Sequence, residues 1–377
     1  MQPSQPVPSF NRRRFLEFGA TAGALALARP AWAMVEEQKT RRVILIAFAG
    51  GVRTRETFGT PENVPNLQRL ADEGVYYPKM RTANRGHFGA ALSIFTGVGQ
   101  QRGIRENGRG PEPTLFEYLR KDAGLSAGDV WITTSGGPQQ VNYSHGTHTD
   151  YGPKYAANTL DGDGIFNREF KSVLTSLGKP REMPEAEKGL LEKIREAMDP
   201  DSDDAENTAR VEEYILAELT RGTSDVRGAN AGDGKALRVA RNLIALFKPK
   251  LTAVVLQNAD TAHGSYNGYV EVIRRNDAAI GEIVETVTGD PDLAESTAIF
   301  VLPEFGRDRD LNSRRGLDHG DGSDDLNFVG GLAWGPDFAR GRVVQDEVRT
   351  IDVMPTICEL FGTRAKRAKG KRLAKLG

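Results

Sequence analysis

Three short runs of apolar residues stand out along the chain: Arg42–Phe48 (RVILIAF), Leu251–Gln257 (LTAVVLQ) and Thr297–Leu302 (TAIFVL). Runs of this length, rich in β-branched residues, predict strands buried on both faces. Val130–Thr134 and Asn327–Trp334 predict two more strands. Between them apolar residues recur at helical spacing. Pro65–Gly74 carries Leu67, Leu70 and Ala71, with proline at its start and glycine at its end, the signals that open and close a helix. Val270, Ile273, Ile280 and Ile283 share one side of a long helix predicted over Tyr266–Val287. Phe88–Phe95, Leu115–Arg120 and Asp352–Phe361 predict shorter helices. Apolar strands alternating with helices predict an α/β fold, a doubly wound, mostly parallel sheet flanked by helices.

Residues 152–234 break this rhythm. They hold few β runs and many charges, and two amphipathic helices are predicted at Glu185–Met198 and Ala205–Leu219. The expected organisation is a core of 34–151 and 235–363 interrupted by a helical cap insertion. Residues 364–377 form a basic tail, with seven basic and no acidic residues between Arg364 and Lys375, expected to be solvated. At the other end, Arg12-Arg13-Arg14-Phe15-Leu16, an apolar run from Gly19 to Ala28 and Ala31-Trp32-Ala33 carry the basic, apolar and cleavable parts of a bacterial export signal. Residues 1–33 are therefore expected to be a twin-arginine signal peptide. Its partner is the twin-arginine export machinery and its destination is periplasmic or secreted. The apolar run is too short to cross a bilayer, so no stable membrane span is expected after cleavage.

Composition narrows the chemistry. Among 377 residues, 50 basic and 51 acidic side chains give a formal net charge of −1, so no global field draws the chain to nucleic acid. Cys358 is the only cysteine, which excludes an internal disulfide and a cysteine-rich zinc site. The histidines, His87, His145, His148, His263 and His319, all fall in predicted loops. Ligands of open parallel sheets bind beyond the carboxyl ends of the strands, so a metal or anion site built from some of these histidines is expected. For His145 and His148 an ordinary polar loop is favoured. Gly232-Asp233-Gly234-Lys235 is followed by Ala236 where a phosphate loop needs a hydroxyl, and Asp199, Asp201 and Asp203 lack the glycine and glutamate of a calcium loop. No G-x-S-x-G elbow is present.

The order of the pieces resembles the alkaline phosphatase and sulfatase superfamily. Val43–Ile46 running into Gly50-Gly51 looks like its first element, and Val64–Val75 (VPNLQRLADEGV) like its first helix. Phe95-Thr96-Gly97 matches the end of its nucleophile helix, and Asp352–Gly362 its terminal helix. Glu304-Phe305-Gly306-Arg307 with Asp318-His319 also resembles a group of twin-arginine-exported proteins related to the sulfatases. The resemblance implies an alkaline phosphatase-like fold. It further implies that Asp260, His263 and His319 hold one divalent metal, zinc first, with manganese, calcium or iron as alternatives. Asp260 and His263 stand one residue closer than is usual there. Where the superfamily has a first metal-binding aspartate, this chain has Gly50; where it has a nucleophile, His87; and where it has an Asp-His pair, Glu304-Phe305.

Two imidazoles and a carboxylate with an open position are a common catalytic zinc set. An ion there lowers the pKa of its bound water to about 7. The expected function is thus hydrolysis of phosphate or sulfate esters by a metal-activated water, with an anionic ester as substrate. His87 would be a further ligand or an acid or base near the leaving group. Glu304 would orient a ligand or act as base, unless it pairs with Arg307 across the turn. Arg307 would bind the ester oxygens. Asp318 is expected to cap its turn. The alternative is a catalytically degenerate exported binding or assembly protein on the same scaffold, favoured by Gly50 and His87.

Overall fold

The structure, a computed structural model, describes residues 38–99, 107–135, 138–161 and 231–373. The predicted signal segment, both cap helices and the acidic run at Asp199 lie outside the described residues. The elements are β1 (Arg42–Phe48), α1 (Pro65–Glu73), β2 (Val75–Arg81), α2 (His87–Thr96), β3 (Val130–Thr134) and β4 (Asn158–Asp161), then α3 (Gly232–Phe247), β5 (Leu251–Leu256), α4 (Tyr266–Gly289), β6 (Thr297–Pro303), β7 (Phe328–Trp334), β8 (Arg342–Val343), β9 (Val348–Arg349) and α5 (Val353–Leu360).

One sheet runs in the order β4-β3-β5-β1-β6-β7-β2-β8, with β9 also on β2. The β4-β3-β5-β1-β6 block is parallel throughout. β7 is antiparallel to both its neighbours, β6 and β2. The sheet is therefore mixed but mostly parallel, as the uninterrupted apolar runs predict.

Those runs alternate between two cores. From β1, Val43, Leu45 and Ala47 face a core shared with α2 and α5. Ile44, Ile46 and Phe48 face the opposite core, shared with α1, α3 and α4. Helices on both faces leave no polar side for the strand to show. Buried carboxylates tie two helix starts to neighbouring elements. α1 has no capping side chain of its own; Asp277 of α4 accepts from the Leu67 and Asn66 backbone amides at 2.8 and 3.1 Å, satisfying orphan donors of the first turn. At the start of α3, Asp233 accepts from the Gln257 amide at 2.8 Å and from Asn276 Nδ2 at 2.7 Å, anchoring the chain as it enters the sheet again.

Two expectations need correction. Asn158–Asp161, assigned by sequence to the cap, is the edge strand β4, parallel to β3. The basic tail is no free appendage as far as Leu373. The Lys369 and Gly370 amides donate to the Gly97 carbonyl at 2.8 and 3.0 Å, the Leu373 amide to Thr356 Oγ1 at 2.9 Å, and the Leu373 side chain is buried. Backbone hydrogen bonds and one apolar anchor outweigh the solvation that its charges suggest.

Candidate metal centre

The centre sits beyond the carboxyl ends of β1, β5 and β6, where an open parallel sheet offers ligands a crevice. β1 delivers Ala49, Gly50 and Gly51. β5 leads into a 3-10 turn, Asn258–His263, which places Asp260 and His263 on one side. β6 delivers Glu304 and Arg307, and the loop after it brings back Asp318 and His319. His87 opens α2.

Four of these residues converge. One donor atom each from His87, Asp260, His263 and His319 lies within 4.8 Å of the other three. His87 Nε2 is 2.9 Å and His263 Nε2 3.3 Å from Asp260 Oδ1. The rings of His87 and His263 stand edge-on to that of His319, with centroids 4.7 and 5.1 Å away. The expected trio is therefore assembled, and His87 joins it as a fourth donor.

The Nδ1 atoms of His87 and His263 are each held from behind. That of His87 contacts Glu304 Oε1 at 2.6 Å and the Ala49 carbonyl at 3.1 Å. A carbonyl can only accept, so Nδ1 carries the proton and Nε2 turns inward. His263 Nδ1 meets Asp318 Oδ1 at 2.6 Å. A carboxylate behind an imidazole is the usual outer partner of a metal-bound histidine. Asp318 is thus more than the turn cap expected of it; the available signal is its place beside His319. Glu304 is fully buried and grips His87, so it orients that ring and does not face substrate.

Arg307 departs furthest from expectation. It is fully buried. Nε donates to the Gly51 carbonyl at 3.2 Å and Nη1 to the Leu317 carbonyl at 3.2 Å. Nη2 donates to the Gly50 carbonyl and, at 2.6 Å, to Asp260 Oδ1. Its carboxylate partner is Asp260, and the guanidinium is not aimed at ester oxygens. The glycines make room for this. A Cβ on Gly50 would come within 2.6 Å of the Asp260 amide nitrogen and the Gln257 carbonyl, and one on Gly51 within 2.8 Å of Arg307 Nε. Gly51 also has φ +65°, which suits glycine. Phe305, fully buried, closes this side against the rings of His87 and His319.

The charges follow this geometry. Burial would raise the Asp260 carboxyl, but His87 and Arg307 outweigh it and hold it well below the usual carboxylate range. Burial opposes charge on His87 too, yet Glu304 and Asp260 prevail and raise it above the ordinary histidine value. Burial pushes Glu304 up against the pull of His87 and Arg307. Burial and the neighbouring cations bring His319 down to about 4, so its ring is neutral at pH 7 with a lone pair to give. His145 and His148 lie apart from the cluster, in the loop that folds against Tyr151.

No protein-family model and no curated protein matches this sequence. Solved structures do match in fold. A variant of the alkaline phosphatase PafA aligns with TM-score 0.57 at 9% identity over 90% of this chain and 99% of its own. A 2-O GAG sulfatase aligns with TM-score 0.52 at 11% identity, over 89% and 73%. A protein of the alkaline phosphatase superfamily from Vibrio parahaemolyticus aligns with TM-score 0.50 at 12% identity, over 89% and 70%. The likeness is one of architecture, and that architecture is the fold of the alkaline phosphatase superfamily.

Proposed function

We propose that this protein is a metal-dependent hydrolase of phosphate or sulfate esters, exported by the twin-arginine route. The observation that carries the reading is the convergence of the His87 and His263 Nε2 atoms on Asp260 Oδ1, each ring backed by a carboxylate. Nitrogen and oxygen donors in this number fit a divalent ion, zinc foremost. His87, Asp260, His263 and His319 would hold it. When bound, such an ion supplies positive charge against the ester oxygens and acidifies water.

The chain's own residues do the rest. Glu304 and the Ala49 carbonyl keep the His87 proton on Nδ1. Asp318 does the same for His263. Arg307 fixes Asp260 Oδ1 and keeps that carboxylate ionised. Phe305 excludes water behind the rings. Position 87 offers no hydroxyl, so the attacking group in this reading is water, and the substrate is an anionic ester. Among the described residues no helix is long and apolar enough to cross a membrane.

Elemental mass spectrometry of the full chain tests the proposal, beside a His263→Ala, His319→Ala double variant. About one zinc, manganese or iron per chain, lost in the variant, together with turnover in a panel of phosphate and sulfate esters, is the expected result. Gly50 and the buried Arg307 favour a second reading, a binding protein on the same scaffold; it predicts metal retention with no turnover across the panel.

A further inference from the structure

Beside the metal centre lies a cavity of about 300 Å³, bordered by His87 and Asp260 on one side. The rest of its described wall is uncharged. Asn107, Gln140, Gln257 and Asn258 supply amides, Ser135 a hydroxyl and Phe88 an apolar surface. Gln140 is fully buried, and both ends of its amide lack a hydrogen-bond partner. The Tyr143 hydroxyl lies beside it without closing a hydrogen bond of good geometry. Buried polar groups are nearly always satisfied, so an orphaned amide in a cavity wall calls for a partner there, a water or a ligand hydroxyl.

We propose that this cavity receives the alcohol half of the ester, and that this alcohol is uncharged and bears several hydroxyls, as a sugar or other polyol does. This rests on the hydrolase reading above. The Gln140 amide offers an unengaged donor and acceptor on adjacent atoms, the pair each hydroxyl needs, whereas Asn258 Oδ1 already accepts from the Asp233 amide and Ser135 Oγ donates to Asp233. A charged leaving group would find no counter-charge on the described wall away from His87 and Asp260. A purely aromatic one would leave the amides unmatched, which a polar site penalises strongly. Gln140 is accordingly a specificity-determining residue.

The test uses the full, zinc-loaded chain and a Gln140→Met variant of similar volume. The first readout is the ratio of kcat/KM for glucose 6-phosphate and glucose 6-sulfate to that for the corresponding p-nitrophenyl esters. The ratio is expected to fall about tenfold in the variant, the value of one hydrogen bond. The second is saturation-transfer NMR with methyl glucoside and inositol, which needs no turnover. Saturation of these polyols by the wild-type chain, weakened in the variant, is expected. An unchanged ratio, or no saturation of either polyol, overturns the subsite. If neither ester class is turned over, the hydrolase reading falls, and the NMR result alone decides whether a polyol binds here.

Discussion

The two sides of the centre are built on opposite plans. On the β5 side, the candidate donors come from loops, and the His263 ring is backed by a carboxylate that is itself 43% exposed. On the β1–β6 side, the positions that the superfamily resemblance reserves for a second ion hold Gly50, Glu304 and Phe305, and the fully buried guanidinium of Arg307 lies beside them. One side gathers nitrogen and oxygen donors around one point. The other already contains a cation, bonded to three backbone carbonyls and Asp260. The contrast teaches that a buried guanidinium can tie one side of a strand-end crevice to the backbone while the other side keeps its nitrogen and oxygen donors turned to one point.

Changes on either side should sharpen that contrast. The largest effect is expected from His263→Ala, which removes a donor directly. Metal affinity should fall by more than about hundredfold, the upper end for losing an outer partner alone, as read by competition with a chromophoric chelator. Arg307→Ala comes next. It strands Asp260 and three carbonyls, and should lower unfolding stability by about 3–5 kcal/mol in urea titration. If stability is unchanged, the guanidinium does not hold the closed side together. Gly50→Ala forces a Cβ onto the Asp260 and Gln257 backbone. A loss of about 1–3 kcal/mol is expected, with weaker metal binding because Asp260 moves.

Asp318→Asn keeps shape and removes charge behind His263. Metal affinity should drop about tenfold, the low end for an outer partner, with melting temperature nearly constant. The smallest signal is a proton. His87 in the metal-free chain is raised to about 10, so it is charged at pH 7. Ligation needs its Nε2 lone pair, so metal uptake should release up to about one proton. Affinity should rise with pH until the ring deprotonates. Without metal, the same charged ring contributes stability that is complete below the ordinary histidine range and lost as pH rises through about 10. Calorimetric titration in two buffers of different ionisation enthalpy counts the proton; no buffer dependence would show that His87 is neutral or does not ligate.

Much of the scaffold is legible in the apolar runs, because a strand covered on both faces has no choice but to be continuous. β1, β3, β5 and β6 match their predicted spans to within a residue. β2 escapes because Val75–Arg81 contains Pro78, which argues against a strand. The proline sits where the pairing with β7 slips between Tyr77 and Met80, so its missing amide costs no ladder bond. α3 escapes because Gly232-Asp233-Gly234 reads as a loop; only the buried contacts of Asp233 reveal a helix start. In the centre, the donors are legible as residue types at strand ends. The role of Arg307 is not, because three of its four partners are backbone carbonyls, which have no letter in a sequence. Sequence offers ester oxygens as the obvious partner for that guanidinium; burial decides otherwise.

Gly50 also restricts what can follow it. A carboxylate cannot be accommodated there by one substitution, since any side chain meets the backbone of the Gln257–Asp260 turn. That turn would have to shift, and Arg307 would have to leave. Each change taken alone is expected to destabilise the fold. An acidic side chain at position 50 therefore requires several concerted changes, and residue 50 locks the local backbone as well as lining the crevice.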